Sequence, residues 1–275
     1  MIKFGCCLPG GSFMPQGEGQ VPPSVERMLL AGSKVVVEAG YHFSETSAGF
    51  LNQLSEEELS HLAEARKADG FPLEACNSFI PGSLPILDRE KRDELRKYVE
   101  RVLSRASRLG IETMVFGSGT ARRIPDGMNR EEGVAGIQDF LRMCSEYGER
   151  YGVTIVIEPL NKRESNVLNT VAEGAEMVRA LNLSGVRLLA DAYHMYLEEE
   201  DLSILEKERD ILTHIHVAEP PARVYPGRDG GEYLTRFARA LRKAGYCGRV
   251  SVECGYGDFQ SEIRSARTFL EEVFA

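Results

Sequence analysis

The sequence predicts a single α/β domain over residues 1–275, a closed (β/α)8 barrel. Three observations carry that prediction. Short, β-branched apolar runs of strand length recur along the whole chain. Stretches with helical apolar spacing lie between them. Glycine closes several of these stretches just before the next strand, as in Ala39-Gly40, Leu109-Gly110, Tyr151-Gly152 and Ala244-Gly245. A doubly wound open sheet is the rival arrangement, but βα units that fill the chain without a linker favour closure.

The first strand is expected near Ile2–Leu8. The Gly/Pro-rich segment Pro9–Pro23 follows it, which a barrel places at its C-terminal face as a loop or lid. Ser24 opens a helix over Val25–Ala39, and Ser55 with Glu58 makes a capping box after a second strand near His42–Thr46. Strand three falls near Pro72–Phe79, with a helix over Asp88–Leu109; strand four falls near Thr113–Ser118, with a helix over Glu131–Tyr151. After strand five, near Val153–Pro159, Thr170 with Glu173 signals another helix start. The last strands lie near Val186–Asp191, Leu212–Ala218 and Arg249–Cys254, with a helix over Glu232–Ala244.

Composition excludes several function classes. There are 33 basic and 42 acidic residues, a net charge of −9. Nucleic-acid binding needs a basic surface, so no such partner is expected. No apolar run reaches the roughly 18 residues of a membrane span. The start, Met1-Ile2-Lys3-Phe4-Gly5-Cys6, lacks the pattern of a secretory signal, so a cytoplasmic protein is expected. Cys6, Cys7, Cys76, Cys144, Cys247 and Cys254 contain no Cys-x-x-Cys, and reduced, mostly buried thiols are expected.

Polar residues interrupt the strands in a telling place. In Val153–Pro159 the side chains alternate, so Ile155 and Ile157 face the helices and Glu158 faces the barrel interior. The same parity turns Asp191 inward beside outward Leu188 and Ala190. It turns His214 and His216 inward beside Ile215 and Val217, and Glu253 inward beside Val250 and Val252. Glu158, Asp191, His216 and Glu253 therefore converge near the top of one barrel, with His214 a hydrogen-bonded core residue one layer below. Three crowded carboxylates repel one another and need an offsetting positive charge. Oxygen-rich ligation with one imidazole suits one divalent metal ion, Mn²⁺ preferred, with Mg²⁺, Co²⁺ or Zn²⁺ as alternatives.

The segments Ile157-Glu158-Pro159-Leu160-Asn161, Asp191-Ala192-Tyr193-His194, His214-Ile215-His216-Val217-Ala218-Glu219 and Val252-Glu253 resemble the metal-site strands of xylose isomerase-like TIM-barrel sugar isomerases and epimerases. That family includes ketose 3-epimerases, hydroxypyruvate isomerase, inosose dehydratase and endonuclease IV. The resemblance implies that Glu158, Asp191, His216 and Glu253 hold one catalytic metal. It also implies that Glu158 and Glu253 exchange a proton α to a carbonyl, from opposite faces of a carbohydrate. His194 matches a substrate-binding histidine, Glu164 the glutamate paired with it, and Arg223 a substrate-gripping arginine displaced by one position. Segments 74–79 and 117–123 match pocket-lining stretches. The family's habit implies a homodimer or homotetramer. Two departures set this chain apart from ketose 3-epimerases: Cys254-Gly255 follows Glu253 where Pro-Phe is usual, and there is no Trp to stack on a sugar.

A divalent-metal-dependent isomerase or epimerase of a sugar, sugar phosphate or related keto-polyol is therefore expected. The alternative is a metal-dependent dehydratase or lyase of a keto-inositol or 3-keto-glycoside. A non-catalytic sugar-binding barrel ranks lower, because none of the four positions is replaced. An endonuclease would need a trinuclear zinc cluster, for which only five histidines exist. Cys254 lacks a partner base, since alternation points it away from Glu253. No Gly-x-Ser-x-Gly elbow supports a serine triad. The Gly117-x-Gly119 pair is a weak phosphate signal, and Arg122 and Arg123 read as solvated loop residues or as holders of a phosphate or carboxylate.

Overall fold

The structure is a computed structural model that describes residues 2–10, 24–69 and 71–275. Its strands are β1 (Lys3–Cys7), β2 (Phe43–Ser47), β3 (Leu73–Asn77), β4 (Thr113–Phe116), β5 (Thr154–Ile157), β6 (Val186–Asp191), β7 (Leu212–Val217) and β8 (Arg249–Val252). They pair in parallel and in chain order, and β1 closes on β8 through Phe4↔Val250 and Cys6↔Val252. Each strand falls where expected, and the closed barrel displaces the open-sheet rival. The chain forms a TIM barrel from Lys3 to Phe274.

The helices are α1 (Val25–Glu38), α2 (Ala48–Gln53), α3 (Glu56–Asp69), α4 (Arg92–Arg108), α5 (Arg130–Tyr151), α6 (Val171–Leu181), α7 (Ala192–Leu197), α8 (Ile204–Lys207), α9 (Glu232–Lys243) and α10 (Phe259–Phe274). One helix per strand undercounts them, because β2 and β6 are each followed by two. The short α2 and α7 start directly at strand ends, capped by Ser47 and Asp191, and are too brief for apolar periodicity to announce.

Capping follows the sequence closely. Ser24 accepts from the Arg27 amide, and Ser55 and Glu58 hydrogen-bond each other's amides at 3.1 and 2.8 Å. At α6 the box is only half made. Thr170 accepts from the Glu173 amide, but the Glu173 carboxylate reaches back to the Asn169 amide instead. Gly40, Gly110, Gly152 and Gly245 all take positive φ, which lets each helix reverse into its strand without the strain a Cβ brings.

Ile155, Ile157, Leu188, Ala190, Ile215, Val217, Val250 and Val252 pack beneath the helices in the main core. Val115, Val156 and Leu189 form a separate apolar cluster, as the opposite faces of their strands require. At the N-terminal ends of the strands, Arg249 pairs with Glu74 and Glu112 while Lys3 also meets Glu74. The cysteines are free thiols; Cys6, Cys7, Cys76 and Cys144 are buried, Cys254 is partly buried and Cys247 is exposed. Most of the proposed Pro9–Pro23 lid, residues 11–23, lies outside the described residues. Among those described, no helix is long and apolar enough to cross a membrane.

Candidate metal centre

Ligating atoms of Glu158, Asp191, His216 and Glu253 all lie within 4.8 Å of one another, with the first three residues buried. Strand register explains the meeting: Asp191 sits opposite His216, and the Glu253 amide donates to Val217 on the same strand as that histidine. Asp191 caps α7 with one oxygen only. Its Oδ1 accepts from the Tyr193 and His194 amides at 2.7 and 3.4 Å, while buried Oδ2 has no hydrogen-bond partner. An orphaned carboxylate oxygen amid other acidic groups is costly unless something positive meets it. The donor set of three carboxylates and one imidazole, with that spare oxygen, fits a divalent cation.

His216 shows how the negative charge is offset within the protein itself. Nδ1 lies 3.0 Å from Glu158 Oε1 and 3.6 Å from Glu253 Oε2, and Nε2 lies 3.0 Å from Glu45 Oε1. Burial disfavours the imidazolium, but Glu45, Glu253 and Glu158 outweigh it and hold the His216 pKa well above its ordinary value. Glu253 moves up, chiefly through burial, with Glu158 and Asp191 adding to the effect and His216 and Arg223 opposing it. A cation taken up here competes with the His216 proton.

Glu45 is the main residue the sequence reading missed. It is fully buried on β2, and its Oε2 lies 3.1 Å from His214 Nε2. His214 is thus the hydrogen-bonded core residue expected, with Glu45 as its partner. Burial works to raise the Glu45 pKa, but His216 and His214 dominate and hold it far below the usual carboxylate range. Alternation gave no such signal here, because the helix-facing Ser44 and Thr46 are polar while apolar Phe43 shares the inner face with Glu45.

The supporting residues fall partly as expected. The Asn161 backbone N–H, which can only donate, points to His194 Nδ1 at 3.3 Å, and the Asn161 side chain lies 2.8 Å from the same atom. The ring proton therefore sits on Nε2, which makes no hydrogen bond and lies 3.9 Å from Asp191 Oδ2. Glu164 is not paired with His194. Its carboxylate accepts from Asn161 Nδ2 at 2.9 Å, so Asn161 stands between the two. Arg223 donates to Glu253 Oε2 at 2.7 Å, lies 3.5 Å from Glu164 and covers the Tyr193 ring at 4.9 Å. Asn77, also missed, donates to the other Glu253 oxygen at 3.2 Å.

Beside this cluster opens a pocket of about 350 Å³ that reaches Glu158, Glu253, Glu164 and Arg223. Ser78, Ile80, Leu160 and the stretch Gly117–Ala121 form much of its wall. Segments 117–123 and 74–79 contribute as expected only in part, because Glu74 is engaged at the far end of the barrel and Phe79 is core. Ser78, Ser118 and Arg223 hold positive φ, so backbone strain of about 1–3 kcal/mol each concentrates at the pocket. A Cβ on Gly117 would collide with Glu158 Oε2. Gly117→Ala is expected to displace that carboxylate and lower kcat/KM by about 10²-fold while thermal stability changes little. Steady-state kinetics and a melting curve check it, and unchanged kinetics would show the carboxylate position does not matter.

Arg122 corrects the reading of a loop arginine as solvated or anion-holding. It is fully buried and donates to the carbonyls of Phe116, Glu158 and Leu168 at 3.0, 2.8 and 3.1 Å, and to Ser165 Oγ at 3.4 Å. Burial lowers its pKa to about 10. Only Arg123 is exposed.

A parallel barrel with an acidic, single-histidine cluster at the C-terminal ends of its strands is the class defined so far. The chain belongs to the xylose isomerase-like TIM barrel family, whose sequence profile matches residues 34–273. It is 29% identical over 229 residues to a D-psicose 3-epimerase of Agrobacterium fabrum, covering 79% of this chain and 76% of that protein. It is 27% identical over 234 residues to the 3-dehydro-D-guloside 4-epimerase of Escherichia coli, covering 82% and 86%. The crystal structure of a 3-keto-D-glucoside 4-epimerase from E. coli superposes with a TM-score of 0.78 at 23% identity, over 99% of this chain and 100% of that one, a likeness of fold.

Proposed function

We propose that this protein is a divalent-metal-dependent epimerase of an uncharged keto-sugar, with Glu158, Asp191, His216 and Glu253 holding the metal. The observation that carries the reading is the convergence of these four groups within 4.8 Å beside the pocket. Relatives named as sugar epimerases support the substrate class. When bound, a cation such as Mn²⁺ offsets the negative charge that develops on the substrate carbonyl oxygen.

The chain's own residues then move the proton. Glu158 on the β5 end and Glu253 on the β8 end approach from different sides of the barrel mouth, so one removes the proton α to the carbonyl and the other returns it. Each serves as base in one direction and acid in the other. Arg223 and Glu164, which line the pocket, bind substrate hydroxyls, and His194, buried beside Asp191, reaches a hydroxyl through its Nε2–H, which has no hydrogen-bond partner.

The pocket lining favours a sugar without phosphate. Its charged residues are Glu158, Glu164, Glu253 and Arg223, and the guanidinium already pairs with two of those carboxylates. Segment 11–23 contains no Lys or Arg to bring a further cation. A phosphate dianion would therefore meet excess negative charge, at a cost of several kcal/mol.

The test is proton exchange in D₂O with Mn²⁺ present, on free ketoses, 3-keto-glycosides and the matching sugar phosphates. Deuterium is expected at one carbon of an uncharged keto-sugar, with its epimer appearing. Phosphorylated analogues should react more than about 100-fold more slowly. Chelation should abolish exchange and Mn²⁺ restore it. Absence of exchange across the whole panel would defeat the epimerase reading.

A further inference from the structure

The geometry points to Glu45 as a positioning residue that keeps the His216 Nδ1 lone pair facing the metal site, a proposal that rests on the four-ligand reading above. An imidazole offers one ring nitrogen to a cation only when its proton sits on the other. Nδ1 is the nitrogen His216 turns toward Glu158 and Glu253. Nε2 faces Glu45 Oε1 at 3.0 Å, and an ionised carboxylate only accepts, so it retains the proton there.

Glu45 is itself fixed from behind. Its second oxygen meets His214 Nε2 at 3.1 Å, and Glu45, His214 and His216 are all fully buried. Among the described residues Glu45 has no Lys or Arg partner, so two imidazoles from β7 satisfy its charge. One of those imidazoles enters the acidic cluster through its other nitrogen, which a simple tie between β2 and β7 would not require. His214 serves as the far anchor; its Nδ1 is buried without a partner and joins no acidic group. Carboxylates behind ligating histidines raise ligand basicity and fix ring orientation, and losing one costs about 10–100-fold in metal affinity.

Glu45→Gln keeps the shape but leaves one amide oxygen to serve two N–H donors. Calorimetric titration with Mn²⁺ is expected to show binding about 10–100-fold weaker than in the unchanged protein. Nitrogen-15 NMR of the unchanged protein loaded with Zn²⁺ should show the His216 proton on Nε2 and the metal on Nδ1, a readout that needs no variant to fold. Equal Mn²⁺ affinity in folded Glu45→Gln would overturn the proposal, and so would metal on Nε2. Neither measurement needs turnover, so an inactive sugar panel would leave this result standing, and the reverse also holds.

Discussion

Glu158→Gln and Glu253→Gln are each expected to lose about 10²–10⁴-fold in kcat/KM, the largest effects on activity anywhere in the molecule. Under the proposed function, each substitution removes a proton-transfer group and weakens a metal ligand together. Both carboxylates already lie within hydrogen-bonding or ionic reach of His216, and Glu253 also holds Arg223 and Asn77, so the amide fits the same space. The fold should survive, as judged by circular dichroism. Deuterium exchange separates the roles: a variant lacking one base loses epimer formation, yet the remaining base can still exchange its own proton in one epimer. Retention of a tenth or more of the activity in either variant would remove that glutamate from the chemistry.

Arg122→Met should cost about 3–6 kcal/mol of stability, from the loss of four buried hydrogen bonds made by one charged group. Phe116, Glu158 and Leu168 each lose a donor to their carbonyls, and Ser165 loses a contact. A typical domain has only about 5–15 kcal/mol in total. Arg122→Lys should recover little, because an ammonium cannot spread donors across the ends of two strands and a loop. Urea unfolding checks both variants. A loss under about 1 kcal/mol would mean that water replaces the guanidinium's hydrogen bonds.

Alternation along a strand is a local property, and it suffices to turn Glu158, Asp191, His216 and Glu253 inward from the identity of their neighbours. The same rule fails on Phe43-Ser44-Glu45-Thr46, where the apolar residue shares the face of Glu45. Its polar neighbours hid the signal, since Ser44 and Thr46 on the outer face do not look like residues packed on helices. Both are nevertheless buried, and Ser44 is paired with Ser33 of α1. The glycines that end helices were legible for the same local reason, positive φ being a matter of one residue and its own Cβ.

Partnerships between distant residues were not legible. Glu45 meets His214 and His216 across 169 and 171 positions, and nothing near residue 45 names them. Arg122 reads as a solvated loop charge, because long-range packing alone decides whether a guanidinium is roofed over. Glu164 and His194 lie at the expected spacing, yet Asn161 takes the histidine nitrogen between them. The sequence by itself determined the barrel, the inward face of the last four strands and the four acidic-cluster residues, because periodicity and backbone sterics act over a few positions. Tertiary structure alone decided which buried charge answers which, because closing the sheet brings groups into contact whose separation along the chain carries no information.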